Sequence, residues 1–417
     1  MVFLLLLLIS IFSFSQDPLN YLKEYIKIDT KESTKEGVLF FKNIFEENKI
    51  EYKIIENGKN SSIIAKIGGT DKSLKPILLT HHIDCVNRGS NLKIHNKLMS
   101  GPCLIDDKSL GIAHLFAFLE ANKKKPKRGV WFLAVADEEK GGRDGMGHLV
   151  ENNLLSEIGF AIGEGGRSSS ATDKKLFSMI STSEKGAIWL KIKIALEGGH
   201  SGSGGDDELR EILKKIYSIP KRLPFLGKFE EFKNFFLWYK EAFPSQRIIP
   251  SKIEEVEEPF KQYVYTTCSI TSIETDGGLN NLPNFISFGV DIRTAEKINH
   301  KEVFKFFKNE FPKAEIENIL EIYSSPSTSQ NDIYFKNFLK KLEKILPNLP
   351  IGPGICAGFS DLHYLREKGI PAFGFSPFFL NFYHENTIHK KNERMPEERF
   401  LEGVEIMKKL LLKLCEE

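Results

Sequence analysis

Ile77-Leu78-Leu79-Thr80-His81-His82-Ile83-Asp84 joins a short apolar run directly to histidine and aspartate. A brief apolar run of this kind is typical of a buried strand. Two similar runs follow, Val130 to Ala136 and Phe160 to Ile162. Between the run at Ile77 and the run at Val130, the segment Ser109 to Ala121 has apolar residues close to helical spacing. Strands that alternate with helices predict an α/β fold with a mostly parallel sheet covered by helices.

The predicted strands end on polar residues. Their carboxyl ends read His82-Ile83-Asp84, Asp137-Glu138-Glu139 and Gly163-Glu164. Ligand sites of parallel α/β sheets lie just beyond the carboxyl ends of the strands. We therefore expect these histidine and carboxylate side chains to share one site.

A different pattern begins near Ala187, where Ile188 to Leu196 alternates apolar with other residues, as in a half-buried strand. The segments that follow read as helix Asp206 to Tyr217, strands Tyr263 to Ile273 and Phe285 to Ile292, helix Lys301 to Phe311 and strand Glu315 to Ile322. The order β-α-β-β-α-β predicts a ferredoxin-like module. An aromatic-rich insertion near Phe225 to Phe243 interrupts it.

The chain is therefore predicted to be an α/β catalytic domain interrupted by an inserted α+β lid or dimerisation domain. The length of 417 residues fits more than one domain. The predicted boundaries are a signal peptide at 1–16, the first part of the catalytic domain at 17–186, the inserted domain at 187–325 and the second catalytic part at 326–417.

Composition excludes several classes of protein. Lys+Arg 58 nearly balance Asp+Glu 56, and no basic stripe with interleaved aromatics is present, which argues against nucleic acid as a partner. An apolar fraction of 41% excludes a polytopic membrane protein. The five cysteines are scattered without a Cys-x-x-Cys pair, so they predict neither a disulfide framework nor a thiolate zinc site.

The N-terminal segment Val2 to Phe14 is almost wholly apolar but short for a bilayer span. It favours a signal peptide, and hence a secreted, periplasmic or lumenal protein without a stable membrane span. The segment lacks the basic residues that usually precede such a run. An uncleaved anchor, a misread start and a cytoplasmic location therefore stay open.

Five side chains at or facing the strand ends suit zinc, namely His82, Asp106, Glu139, Glu164 and a late histidine. Two divalent cations carry more positive charge than three carboxylates can neutralise, since the two imidazoles are uncharged. One bound hydroxide offsets this excess, and metal-bound water ionises near neutrality. Each residue alone has a plainer interpretation, as a satisfied histidine, a helix cap or an acidic turn. Their occurrence together at strand ends favours a metal site.

Two acidic neighbours complete the predicted chemistry. Glu138 precedes the ligand Glu139 and can accept a proton from water and return it to a leaving nitrogen. Asp84, two residues after His82, is spaced to hold that imidazole from behind.

From Tyr21 to Leu414 the chain resembles the dizinc metallopeptidases that include aminoacylase, carboxypeptidase S, glutamate carboxypeptidase, acetylornithine deacetylase and succinyl-diaminopimelate desuccinylase. The stretches that carry the resemblance are Leu78 to Asp84, Ile105 to Ser109, Asp137 to Gly142, Glu164 to Gly166, Gly198 to Ser201, Asn281 to Arg293, Gly358 to Asp361 and His389 to Arg394. Ser183 to Gly186 and Ile388 to Glu393 look closest to the aminoacylase and carboxypeptidase S branch.

The resemblance implies a role for each metal ligand. Asp106 would bridge two zinc ions, for which Co²⁺ or Mn²⁺ could substitute. His82 and Glu164 would complete one metal site, and Glu139 and His389 the other. His389 is preferred to His384 because its spacing to Glu393-Arg394 fits the family.

The resemblance also implies roles outside the metal centre. Glu138 would be the general base and Asp84 the support of His82. His200 would reach a neighbouring active site, usually across a homodimer, to stabilise the oxyanion. Arg293, with Asn281 and Gly358, would hold the substrate carboxylate.

Two positions depart from the family pattern. The usual Gly-x-Gly before the bridging aspartate is Gly101-Pro102-Cys103, and Asn87 stands where proline is common. All five ligands and the base are nevertheless present.

The predicted function is metal-dependent hydrolysis of an amide bond next to a free carboxylate, in an N-acyl amino acid or at the C-terminus of a short peptide. A dipeptidase or a carbamoyl-amide hydrolase of the same fold is the nearest alternative. A non-catalytic metal- or peptide-binding homologue is the alternative from another class.

Overall fold

The structure is a computed structural model that describes residues 17–170, 176–223, 237–238, 241, 261–295 and 298–416. The aromatic-rich segment near 225–243 falls almost wholly outside these ranges, as does the apolar N-terminal run. Within them, none of the helices combines the length and apolar character needed to cross a bilayer.

The strand predicted around Ile77 is β3, Ile77–His82, and all six of its residues are buried. It pairs in parallel with β6, Val130–Val135, and with β7, Phe160–Gly163. Successive residues of β3 contribute to separate apolar clusters, Leu78 to one and Leu79 to the other. Because successive side chains of a strand point to opposite faces, both faces of this sheet are covered, as predicted.

The central sheet has ten strands in the order β1-β2-β6-β3-β7-β17-β9-β8-β18, with β16 paired to β9. Its other members are β1 Glu51–Asn57, β2 Asn60–Ile67, β8 Arg167–Ser170, β9 Leu176–Glu184, β16 Ile351–Cys356, β17 Ala372–Gly374 and β18 Phe379–Leu380. The pairs β6–β3, β3–β7 and β7–β17 are parallel, whereas β1–β2, β2–β6, β17–β9 and β8–β9 are antiparallel. The short strands β4 Lys93–His95 and β5 Leu98–Gly101 form a separate sheet with β19, Glu393–Pro396.

Helices cover the central sheet. They are α1 Pro18–Lys27, α2 Lys35–Glu47, α3 Ser109–Lys124, α4 His148–Glu151, α8 Ile333–Ile345, α9 Leu362–Glu367, α10 Phe382–Glu385 and α11 Glu397–Leu414. Helix α3 approaches β3 closely at Gly111, where an added Cβ would lie 2.4 Å from the ring of His81. The C-terminal helix α11 is amphipathic and buries its apolar face, which includes Phe400 and Leu414, in the same core.

The chain between β9 and β16 forms a second sheet with its own apolar cluster. Its main elements are β10 Gly186–Ala195, α5 Asp207–Arg222, β12 Thr267–Thr275, β14 Phe285–Thr294, α7 His300–Glu310 and β15 Glu315–Ile322. The spatial order β12-β14-β10-β15, with every pair antiparallel, matches the predicted ferredoxin-like arrangement. A separate pair, β11 Gly199–His200 with β13 Asn281–Leu282, extends from it.

One predicted strand is partly wrong. The apolar run from Tyr263 begins instead with a short helix, α6 Lys261–Val264, and the strand starts at Thr267. The Nζ atom of Lys185 donates hydrogen bonds to the carbonyls of Gln262 at 3.0 Å and Tyr265 at 2.8 Å. Hydrogen bonds from the buried ammonium group of Lys185 therefore fix this turn. Because they are contacts between residues distant in sequence, no local sequence pattern predicts them.

Candidate metal centre

Three neighbouring strands deliver the predicted site residues to one edge of the sheet. His82 is the last residue of β3, Glu164 follows β7 directly, and Glu138 and Glu139 lie in a turn three residues beyond β6. Because β3 is parallel to both neighbours, these side chains meet at the carboxyl edge, as predicted.

Asp106 lies between two histidines that are distant in sequence. Its Oδ1 atom is 2.9 Å from Nε2 of His82, and its Oδ2 atom is 2.9 Å from Nε2 of His389. Nε2 of His389 is also 3.4 Å from Oε2 of Glu139. Each oxygen of Asp106 thus faces a different imidazole, which is the geometry that a bridging carboxylate needs.

The donor set fits metal ions. His82, Asp106 and Glu139 form one group, and His82, Asp107 and Glu164 another, with ligand atoms within 4.8 Å of one another. One oxygen each of Glu139, Glu164 and Asp107 is buried without a hydrogen-bond partner among the described residues. Buried anionic oxygens without partners are costly, and divalent cations would satisfy them.

The electrostatics of the site point the same way. Burial raises the pKa of Glu138 and of Glu164 well above the ordinary value, and nearby carboxylates raise both further. Hydrogen bonds to Asp106 and Glu139 raise the pKa of His389 to about 11. The protein alone therefore favours protonation of these groups, and cations would be required to keep the carboxylates ionised and the imidazoles neutral.

Asp84 is placed differently from the prediction. Its backbone carbonyl, rather than its carboxylate, lies 3.0 Å from Nδ1 of His82, while the nearer carboxylate oxygen is 3.8 Å away. The carboxylate accepts hydrogen bonds from the backbone N–H groups of Glu138 at 3.2 Å and Glu139 at 3.0 Å. Asp84 therefore fixes the turn that carries Glu138 and Glu139.

Two acidic residues at the centre were missed by sequence reasoning. Asp107 is 2% exposed and belongs to the group with Glu164. Glu393 is fully buried and accepts hydrogen bonds from the backbone N–H groups of Ile105, Asp106 and His389. The spacing from His389 to Glu393 was a usable signal, because a carboxylate four residues from a ligand can tie ligand loops together.

A cavity of about 840 Å³ opens onto the metal centre. Glu138, Arg293 and Gly358 all line it. The guanidinium of Arg293 is held by Asp291, whose Oδ1 lies 3.0 Å from Nε, and Asp291 also accepts a hydrogen bond from Nε1 of Trp189 at 2.9 Å. Arg293 is thus presented to the cavity from the inserted domain.

His200 and Asn281 lie elsewhere. They are exposed, face each other in the β11–β13 pair, and are not among the described residues that line the cavity. The structure therefore does not bring Asn281 together with Arg293 and Gly358. It groups Asn281 with His200, at a position from which neither completes the cavity of its own chain.

The scattered cysteines gave no sign of a disulfide, yet the structure contains one. Cys85 and Cys103 are bonded, with their Cα atoms 6.0 Å apart. The 18-residue separation has no diagnostic spacing, and the fold of the loop between them brings the two residues together. Cys268, Cys356 and Cys415 are free, and none of them belongs to a described metal-ligand group.

A wall of the cavity contains a second ionic group. Arg167 and Glu385 form an ion pair in which the guanidinium donates two hydrogen bonds to the carboxylate. The Nη1 atom of Arg167 also lies 3.3 Å from the Tyr263 hydroxyl. All three residues line the cavity. The pair joins the strand that follows Glu164 to the segment before His389.

Comparisons with known proteins agree with this geometry. Residues 78–413 match the model of peptidase family M20/M25/M40. Aminoacylase-1 of Mus musculus is 26% identical over 366 residues, which cover 83% of this chain and 82% of that protein. Probable carboxypeptidase S-like 2 of Dictyostelium discoideum is 24% identical over 378 residues, 81% of this chain and 71% of that protein.

Human carnosine dipeptidase 1 has a similar fold, with a TM-score of 0.74, 12% identity, and coverage of 95% of this chain and 96% of that one. The family model spans both parts of the catalytic domain and the segment between them. The chain therefore belongs to peptidase family M20/M25/M40 and is a metal-dependent hydrolase of amide or peptide bonds.

Proposed function

We propose that this protein hydrolyses amide bonds next to a free carboxylate, in N-acyl amino acids or at the C-terminus of short peptides, with two zinc ions. His82, Asp106 and Glu164 would hold one ion, and Asp106, Glu139 and His389 the other. The observation that carries the proposal is the placement of Asp106, whose two oxygens face His82 and His389 at 2.9 Å each.

Zinc in this site would supply Lewis acidity, which lowers the pKa of a water molecule toward neutrality. Glu138 lines the cavity and is held at its backbone by Asp84. It accepts the proton of the attacking water and delivers it to the nitrogen of the leaving amine. The neighbouring Glu139 is directed toward His389, so the two adjacent glutamates have separate roles.

Arg293 would bind the carboxylate of the substrate. A guanidinium presents a planar pair of N–H groups that matches a carboxylate. Asp291 accepts a hydrogen bond from Nε of Arg293. The two terminal nitrogens of the guanidinium would then bind the substrate carboxylate. Gly358 lies in the same cavity and allows close approach of the substrate.

A homodimer would complete the site. His200 and Asn281 are exposed at the β11–β13 pair and are not among the described residues that line the cavity of their own chain, which supports a role in the cavity of a second copy. An imidazole donor that reaches the neighbouring cavity would stabilise the developing oxyanion.

The proposed location is outside the cytoplasm. The Cys85–Cys103 disulfide supports it, because disulfides persist mainly in oxidising compartments. The apolar run Val2 to Phe14 would serve as the signal peptide. The dipeptidase, carbamoyl-amide and non-catalytic alternatives are not favoured by the relatives of this chain.

The test compares N-acyl amino acids and dipeptides with their C-terminal amides, for the wild type and Arg293→Ala. We expect hydrolysis of the free acids only, abolished by a chelator and restored by zinc. Arg293→Ala should raise KM for the free acids about 10- to 100-fold, since a charged hydrogen-bonding partner is lost.

Lys191→Ala is the matched control, because Lys191 is a cation of the same cavity whose Nζ pairs with Glu274 at 3.2 Å. It should leave KM nearly unchanged. Equal hydrolysis of acids and amides by the wild type, or equal effects of the two substitutions, would contradict the proposal.

A further inference from the structure

The disulfide between Cys85 and Cys103 joins two segments that carry metal ligands. Cys85 directly follows Asp84, three residues after His82. Cys103 opens the helical turn Leu104–Lys108, which contains Asp106. Both cysteines are buried, at 2% and 0% exposed. The bond is therefore buried and joins two segments of the candidate metal centre.

The segment between the two cysteines is a hairpin with one supported strand. Its strand β4, Lys93–His95, is exposed at every residue and pairs only with β5 in the described sheet, whereas β5 also pairs with β19. Without the bond, residues 86–102 would be the only covalent connection between Cys85 and Cys103. The disulfide instead joins Cys85 and Cys103 directly, so the segments of His82 and Asp106 are held together.

The backbone at Cys103 adds a second observation. Its φ is +51°, in the left-handed region that favours glycine. A cysteine here carries a conformational cost that the bond to Cys85 can offset, because it holds the residue in place.

Glu393 also restrains the Asp106 segment. Its carboxylate accepts hydrogen bonds from Asp106 N at 3.2 Å and from His389 N at 2.9 Å. It thus links Asp106 to the loop of His389, whereas the disulfide links Asp106 to the loop of His82. Both restraints therefore act on the short segment from Cys103 to Asp106.

We propose that the Cys85–Cys103 disulfide positions Asp106 between His82 and His389 and thereby determines how tightly the enzyme retains its metal. The inference rests on the proposed bridging role of Asp106. The cysteines act through Asp106 and are positioning residues, not ligands. Reduction of the bond would loosen the Asp106 segment on the His82 side and weaken zinc binding.

The experiment uses the full-length protein produced under oxidising conditions. Titration of thiols in denatured protein should give three before reduction, from Cys268, Cys356 and Cys415, and five after it. Five thiols in the unreduced protein would overturn the proposal at once.

Zinc affinity is then measured by competition with a chromogenic chelator. Cys85→Ala/Cys103→Ala and Cys85→Ala/Cys103→Gly should both bind zinc about tenfold more weakly than the wild type, as expected when support of a ligand is removed. Cys268→Ser is the control, since Cys268 lies on β12 of the inserted sheet and should leave zinc affinity unchanged.

The glycine variant separates the bond from the backbone. Glycine adopts a positive φ without strain, so this variant should melt at a higher temperature than the alanine variant and still bind zinc weakly. Wild-type zinc affinity in the glycine variant would overturn the proposal, because the turn alone would then position Asp106.

Excess zinc distinguishes positioning from general destabilisation. At saturating zinc, kcat of both double variants should return to within about twofold of the wild type, since mass action compensates for weakened binding. Failure of kcat to recover would overturn the proposed role. Absence of zinc binding in the wild type would instead overturn the proposed function, and the two failures are therefore distinguishable.

Discussion

At the scale of single residues, Asp106 shows what the sequence could predict. Its predicted place in the candidate metal centre rested on its order between His82 and Glu139 and on the family resemblance of the motif around it. Glu393 was not assigned, because its hydrogen bond to the N–H of Ile105 spans 288 positions. Local patterns report strands and their ends, but not pairs that only the folded chain brings together.

Glu138→Gln tests the proton-transfer role of the base. The amide keeps the size of the side chain but cannot accept the proton, so kcat should fall at least about 100-fold. Zinc content, measured by atomic absorption, should stay unchanged, because the ligands are untouched. Glu151→Gln, at an exposed glutamate in α4, is the control and should keep wild-type kcat. Near-normal turnover of Glu138→Gln would refute the assignment.

At the scale of elements, strict alternation in β10 and the helical spacing of α5 made the inserted module predictable. Neither signal depends on distant contacts. The start of β12 was misplaced by four residues, from Tyr263 to Thr267, because Lys185 fixes the turn before it. The disulfide escaped prediction for the same reason, since the hairpin β4–β5 brings Cys103 back toward Cys85.

The β11–β13 pair yields a prediction about the dimer. If His200 serves the cavity of a second copy, His200→Ala and Glu138→Gln homodimers should each be nearly inactive. A mixed dimer has one cavity with both Glu138 and His200 intact. Equal mixtures should therefore regain about a quarter of wild-type activity after random exchange between two-fold symmetric dimers.

Subunit exchange is verified by co-purification of differently tagged copies. Mixed dimers that form without regaining activity would show that His200 does not act across the interface. A His200→Ala homodimer with wild-type kcat would remove its role altogether.

At the scale of the whole molecule, the buried carboxylates make stability depend on metal and pH together. Burial raises the pKa of Asp84 to about 6 and, with the charge of Asp106, that of Glu393 to about 8. The pKa values of Glu138 and Glu164 are also raised. A carboxyl with a raised pKa binds its proton more tightly in the folded chain, so stability falls as pH rises above the unfolded value.

The metal-free protein should accordingly lose stability between about pH 5 and pH 8, with a fall in Tm of about 5 °C or more. Scanning calorimetry with a chelator measures this fall. With saturating zinc the fall should be much smaller, because the cations stabilise the ionised carboxylates. A Tm of the metal-free protein that rises over this range would contradict the electrostatic account.

The catalytic sheet is assembled from both sides of the inserted module, with β17 lying between β7 and β9. One consequence concerns biosynthesis. While a ribosome is still translating the module, the nascent polypeptide has His82 and Glu164 but has not yet produced His389. With His389 as a metal ligand, as proposed, the hydrolytic centre would stay incomplete until translation nears its end.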